Sequence, residues 1–450
     1  MPGVKRAAFG LMVGTALSLS FASAQEVTAY TGAKIYPVDG EAIEDGVMLV
    51  SGGKITEIGT ADDVDVPEDA ETVDLSGKVV IPGLVDTHSH VGISTRGGDS
   101  DSNERSGPVQ PQLRAIDAIN PADPGIRMAT SGGITTANIM PGSGNVIGGQ
   151  TAYVKYRGDT LDEMLIEGEI GGLKMANGEN PKGYGRRGSA PTTRMGVTAL
   201  ARKAYLEAKE YGEKATPPEE DEPGFIERVF GGDDDEDDFT SPPRDLGKEA
   251  LLEAMRGERI VHHHTHRADD ILTVVRLSEE FGFPVVIQHG SEAWKVADVL
   301  AEKDIPVSFI MIDAPGGKHE AVNLLLSGAG IMEKAGVKVA LHTDDPIIGS
   351  RFFLRTGALA IREGMSEEGA LQALTVNGAV MLGLEDRVGT LTPGKDADFV
   401  VLSGEPFALR TKVLETWIEG EKVFDRSDED DRRYATGGFY AGDRYPDRGE

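Results

Sequence analysis

The sequence predicts an α/β protein: a (β/α)8 TIM barrel carrying a small composite β-sandwich built from its two ends. Two observations lead there. Between Val79 and Gly383, apolar β-type runs alternate with helical stretches, and short β-rich runs punctuated by glycine occupy both flanks. A parallel barrel needs eight strands alternating with helices over roughly 250 residues. The candidate strands are Val79–Ile81, Thr135–Ile139, Ala152–Lys155, Leu173–Met175, Ile260–His262, Val285–Gln288, Val307–Ile310 and Val337–Leu341. Helical periodicity is clearest in Asp270–Phe281, Ala293–Lys303 and Glu367–Leu382.

On the N-terminal flank, Val27–Tyr30, Lys34–Tyr36, Val47–Val50 and Lys54–Ile58 read as a small antiparallel sheet with glycine turns. Phe399–Leu402, Val413–Ile418 and Lys422–Phe424 repeat the pattern near the other end. Neither set buries its own face, so residues 25–78 and 384–426 are expected to meet as one sandwich around the barrel domain 79–383. Residues 210–247, with Pro217-Pro218, the acidic run Asp233–Asp238 and Pro242-Pro243, are too polar to pack and read as an excursion over the barrel. Residues 427–450 read as a loosely ordered tail.

Composition narrows the function. A chain of 450 residues with 39% hydrophobic content can bury a large core. Lys5 and Arg6, an apolar run from Ala7 to Ser20, and Ala22-Ser23-Ala24 form the pattern of a secretory signal in residues 1–24, which predicts a periplasmic or secreted protein. That run is shorter than the ~20 residues of a membrane span, so no membrane insertion is expected after cleavage. With no cysteine, disulfides, thiolate nucleophiles and sulfur ligands are excluded, leaving histidine, carboxylate or modified lysine for any metal. A net charge of −30 argues against nucleic acid as a partner. A homo-oligomer stays open.

Histidine placement is the most informative feature. Two form His88-Ser89-His90, four crowd into His262–His266, and His289, His319 and His342 stand alone, nearly all directly after a predicted strand. The carboxyl ends of barrel strands form the active-site face, where residues from distant parts of the chain converge. Residues two apart on a strand project to one side, so His88 and His90 can reach one ion. Gly148-Gly149-Gln150 reads as a tight turn in which Gln150 can donate to a substrate. Arg267 and Lys318, just beyond strand ends, are candidate cations for a substrate carboxylate.

The segment Ile81-Pro82-Gly83-Leu84-Val85-Asp86-Thr87-His88-Ser89-His90 closely resembles the signature of the amidohydrolase superfamily, in particular its imidazolonepropionase-related branch. Gly389-Thr390-Leu391-Thr392-Pro393-Gly394-Lys395-Asp396-Ala397-Asp398 resembles that family's return from barrel to sandwich. The resemblance implies metal ligands His88 and His90, a fifth-strand ligand within His262–His266, His289, and Asp344. The stretch His264-Thr265-His266-Arg267-Ala268-Asp269-Asp270 selects His264, with His266 as runner-up. His342 reads as a core or supporting histidine. Relatives bridge a second metal with a carboxylated lysine or a glutamate, and both Lys174 and Glu179 stand in the right region; one or two metals per chain remain open.

These residues imply a divalent metal, expected to be zinc, that lowers the pKa of bound water from ~15.7 toward ~7. Asp344 would take the water's proton and deliver it to a departing nitrogen, cutting an amide, cyclic amide or dipeptide bond of a small or short-peptide substrate. A deaminase of the same superfamily is the enzyme alternative, weakened because no carboxylate follows His264 before Asp269. The alternative of another class is a secreted metal-binding protein without turnover.

Overall fold

The computed structural model describes residues 26–94, 100–187, 190–216, 241–312 and 318–437. The segment 1–24 expected to be a secretory signal, the acidic run 233–238 and the last thirteen residues lie outside them. The strands are, in chain order, β1 (Val27–Ile35), β2 (Ile43–Ser51), β3 (Lys54–Thr60), β4 (Glu71–Asp74) and β5 (Val79–Pro82). Then come β6 (Leu84–Ser89), β7 (Ile134–Ile139), β8 (Ile147–Gln150), β9 (Ala152–Lys155), β10 (Leu173–Ala176), β11 (Val261–Thr265), β12 (Val285–His289), β13 (Val307–Ile310) and β14 (Val339–His342). The chain closes with β15 (Phe399–Leu402), β16 (Val413–Ile418) and β17 (Glu421–Asp425).

Both flanks join in one eight-stranded sheet of order β17-β16-β15-β5-β1-β2-β3, with β4 beside β1. Hydrogen bonding connects the strands of the two flanks through β5 and β15. One face of the sheet is sealed by Tyr30, Phe399 and Trp417, whose ring centroids lie 4.9 to 5.5 Å apart. The sheet claims Val79–Pro82, which pairs with β1 and β15. The first strand of the parallel set is therefore β6, after Gly83, and not the run Val79–Ile81. A short apolar run carries no mark of which sheet will bury it.

In the remainder, β6 and β7 are parallel, as are β10 through β14 in succession. The two groups approach where the Asp344 N–H donates to His88 O at 2.9 Å. Ala152–Lys155 was expected as a parallel strand, but it runs antiparallel to β7 while β8 runs antiparallel to β10. Residues 147–155 thus form an extended segment between the two groups, an arrangement that apolar patterning cannot distinguish from a parallel strand. The fold is α/β and barrel-like, with mixed sheets.

Amphipathic helices cover the outside. Ala268–Phe281 buries Ile271, Val274, Val275, Leu277 and Phe281, and ends at Gly282, whose φ of 78° suits a left-handed cap. The excursion expected at 210–247 is narrower than the sequence suggested, because Arg194–Ala215 is helical and Leu246–Met255 begins the next helix. The tail is also better fixed than expected up to Gly437. Glu429–Thr436 is a helix whose Tyr434 is buried under the Arg127 guanidinium, while Asp431 pairs with Arg127. No helix among the described residues is long and apolar enough to cross a membrane.

Candidate metal centre

Strand pleating decides which histidines meet. On β11, His262 and His264 lie two apart and face the interior. His262 bonds Tyr153 Oη at 2.9 Å and Gln288 Nε2 at 3.1 Å, forming the floor. His263 points the other way, against Val197 and Val274 of the surrounding helices. Two ligand candidates sit on left-handed backbone, His289 at φ 71° and Asp344 at φ 50°. Such conformations cost about 1–3 kcal/mol outside glycine and persist where surrounding structure enforces them.

Around Asp344 the geometry is explicit. His88 Nδ1 bonds Gln288 Oε1 at 3.1 Å, which makes Nδ1 the donor and leaves the Nε2 lone pair 3.5 Å from Asp344 Oδ1. His90 repeats the device, with Nδ1 on Met140 O at 2.8 Å and Nε2 3.1 Å from the same carboxylate oxygen. Asp86 locks this corner from behind, accepting from Thr343 N at 3.0 Å and Thr343 Oγ1 at 2.5 Å. Two further triads adjoin it, His264 with His266 and His289, and His88 with His289 and His342, each with ligand atoms within 4.8 Å of one another. His342 bridges Ser308 Oγ at 2.7 Å and His289 Nδ1 at 3.2 Å.

Electrostatics keeps these groups in their ligating forms. Burial drives His88, His264 and His289 well below the usual imidazole range, and holds His262, His266 and His342 to about 3. All are neutral near pH 7, with lone pairs available. Burial pushes Asp344 upward, but the His90 hydrogen bond and electrostatic attraction to the adjoining imidazoles and Lys174 hold its carboxyl below the usual range, so it is ionised near pH 7. Among the described residues, His264 Nδ1 and His266 Nε2 are buried with no hydrogen-bond partner. An orphaned buried polar atom costs about 1–3 kcal/mol. Imidazole nitrogens and a carboxylate converging with unsatisfied lone pairs fit a divalent cation.

The other candidates divide. Lys174, fully buried, places Nζ 3.1 Å from His88 Nε2 and 3.0 Å from Met140 Sδ, and burial lowers it to about 7. Glu179 meets the centre through its backbone, donating N–H to Glu320 Oε2 at 2.7 Å. Lys318 lies near enough for its charge to depress His264 and His266 further, after burial. Arg267 is turned away, paired with Asp269 at 2.8 Å on the exposed surface. Gln150 is also misplaced by the sequence reading. It pairs with Leu173 at the starting end of β10, and its amide donates to Pro111 O at 3.3 Å. Because β8 runs antiparallel, its last residue lies at the end of the strands away from the histidines. Gln288, Asp86, Asn180 and Glu320 escaped the sequence reading; Gln288 had a signal, adjoining a predicted ligand on a buried strand.

An amidohydrolase from Thermotoga maritima of solved structure is 40% identical and superposes with a TM-score of 0.80, covering 89% of this chain and 100% of that one. The chain belongs to the amidohydrolase superfamily. The family model described as Amidohydrolase family matches residues 249–424 of this amidohydrolase. Amidohydrolase tasK of Hapsidospora irregularis is 32% identical over 84% of the chain, which spans 40% of that longer protein. Imidazolonepropionase of Pseudomonas putida is 27% identical over 84% of the chain and 92% of its own length. The amidohydrolase is thus a hydrolase acting on C–N bonds, related to imidazolonepropionase.

Proposed function

We propose that this chain is an exported, zinc-dependent amidohydrolase that cleaves an amide, cyclic amide or dipeptide bond. The observation that carries the reading is the convergence of His88 Nε2 and His90 Nε2 on Asp344 Oδ1, at 3.5 and 3.1 Å, with both rings held by Gln288 and Met140. His88, His90 and Asp344 would hold one divalent ion, and His264, His266 and His289 offer donors for a second. Lys174, once carboxylated, is better placed than Glu179 to bridge the two. When bound, the metal supplies a polarised carbonyl and water that ionises near neutral pH.

The chain's own residues do the rest. Asp344, ionised and beside His90, accepts a proton from the attacking water and returns it to the departing nitrogen, so that water and amide become acid and amine. Lys318, whose charge reaches His264 and His266, would meet an anionic part of the substrate. The signal-like pattern of residues 1–24 supports export, and with it scavenging of small peptides or acylated amines.

Elemental analysis of the purified protein, joined to an assay of dipeptides, N-acyl amino acids, lactams and hydantoins with added zinc or manganese, tests the reading. Metal on the chain and turnover lost on chelation are expected. Stoichiometric metal without turnover of any compound would favour a binding protein.

A further inference from the structure

The mouth of the barrel holds a buried acid for which the reaction above has no use. Glu320 rides on the short turn His319–Ala321, which follows β13 in sequence, yet its carboxylate lies at the ends of β10 and β11. The side chain is 1% exposed. Its Oε2 accepts from the Glu179 N–H at 2.7 Å, with Arg194 3.7 Å away. Its Oε1 has no hydrogen-bond partner and lies 3.8 Å from His264 Nε2. Gly178 makes the approach possible: at φ 79°, a Cβ there would stand 2.2 Å from Glu320 Oε2. On the other edge of the same imidazole, Nδ1 is buried and unpartnered.

A neutral imidazole carries one N–H, and the group that accepts from it decides which nitrogen keeps a lone pair. The Asn180 amide also approaches Nε2, at 3.4 Å, but an amide presents either a donor or an acceptor, whereas an ionised carboxylate only accepts. We infer that Glu320 is the positioning residue of His264: its Oε1, 3.8 Å from Nε2, draws the ring proton to that nitrogen by charge and leaves the Nδ1 lone pair for a cation shared with His266 and His289. The inference rests on the metal-hydrolase reading and adds a residue to it. It also links the loop after β13 to the metal centre through one side chain.

Zinc titration against a competing chromophoric chelator tests this, using metal-stripped full-length protein, E320A, E320Q, H264A and the double variant E320A/H264A. Loss of a carboxylate behind a ligating histidine typically weakens metal binding ~10–100-fold. E320A should show that loss, E320Q should recover part of it through its amide oxygen, and the double variant should bind no worse than H264A. Nitrogen chemical shifts of the metal-free protein should report His264 as the Nε2–H tautomer in wild type and a mixture in E320A. Titration of E320A like wild type, or additive losses in the double variant, would overturn the assignment. A wild type that takes up no zinc would refute the metal-hydrolase reading itself.

Discussion

Two buried clusters of ionisable side chains differ in how their members are matched. At the junction with the terminal sheet, Lys155 Nζ meets Asp396 at 2.7 Å, Asp398 at 3.0 Å and Glu419 at 3.1 Å. Lys54, Arg387 and Arg157 then bind the outer faces of Asp396 and Glu419. Every charge there faces its opposite. At the barrel mouth, imidazole faces imidazole, and His264 Nδ1, His266 Nε2 and Glu320 Oε1 face nothing that bonds them. The first cluster balances its charges from within, although Asp398 Oδ2 and Arg157 Nε also lack a hydrogen-bond partner, whereas the second gathers neutral rings whose open lone pairs suit a cation. Neither burial nor one unmatched oxygen marks a site, since Asp398 has both; several imidazoles converging with open lone pairs do.

Three perturbations separate the clusters, the largest first. Asp344→Asn removes the proton carrier and keeps an oxygen donor, so kcat should fall about 10²–10⁴-fold while metal stays bound. Near-full turnover with metal present would sink Asp344's role. Lys155→Met should leave the metal content unchanged but lower stability by about 3–5 kcal/mol in urea, because it strands buried carboxylates. A stable K155M that had lost its metal would show the two clusters to be one.

The smallest effect is on pH. Unfolded histidine titrates near ~6.5, whereas burial holds folded His262 and His266 to about 3. The folded pKa is depressed, so below ~6.5 the unfolded chain takes up protons that the folded one refuses. Stability should therefore fall from about pH 6.5 toward 3, and His262→Asn should flatten that limb by about one proton. Asp396, which Lys155 holds below the usual carboxylate range against the upward push of burial, enters only at lower pH. If thermal midpoints do not change between pH 6.5 and 4.5, the histidines are not the groups responsible.

Much of this was legible in the sequence, for reasons visible in particular residues. His88 and His90 could be paired because period-two projection is local, whereas His289 and Asp344 came from the resemblance to the amidohydrolase superfamily. His264 was separable from His263 only by register, which the pairing Ala176↔His264 and His264↔Gln288 supplies. Glu320 was not legible, since its partner lies 56 positions earlier, between 264 and 320 in the numbering, and a lone acid on a polar turn looks like surface. Gln150 and Val79–Ile81 misled because strand direction and sheet membership are tertiary properties, which composition does not encode.

The shared terminal sheet has a consequence for how the molecule is made. The β5 residues Val79 to Pro82 pair with Leu402 to Phe399, so one edge of an early strand stays open until nearly the whole chain has emerged from the ribosome. A polypeptide cut short before residue 399 bares that edge and the aromatic surface of Tyr30, which Phe399 and Trp417 cover in the finished protein. Pairing with β15 thus closes the open edge of β5 and covers Tyr30 in the same step.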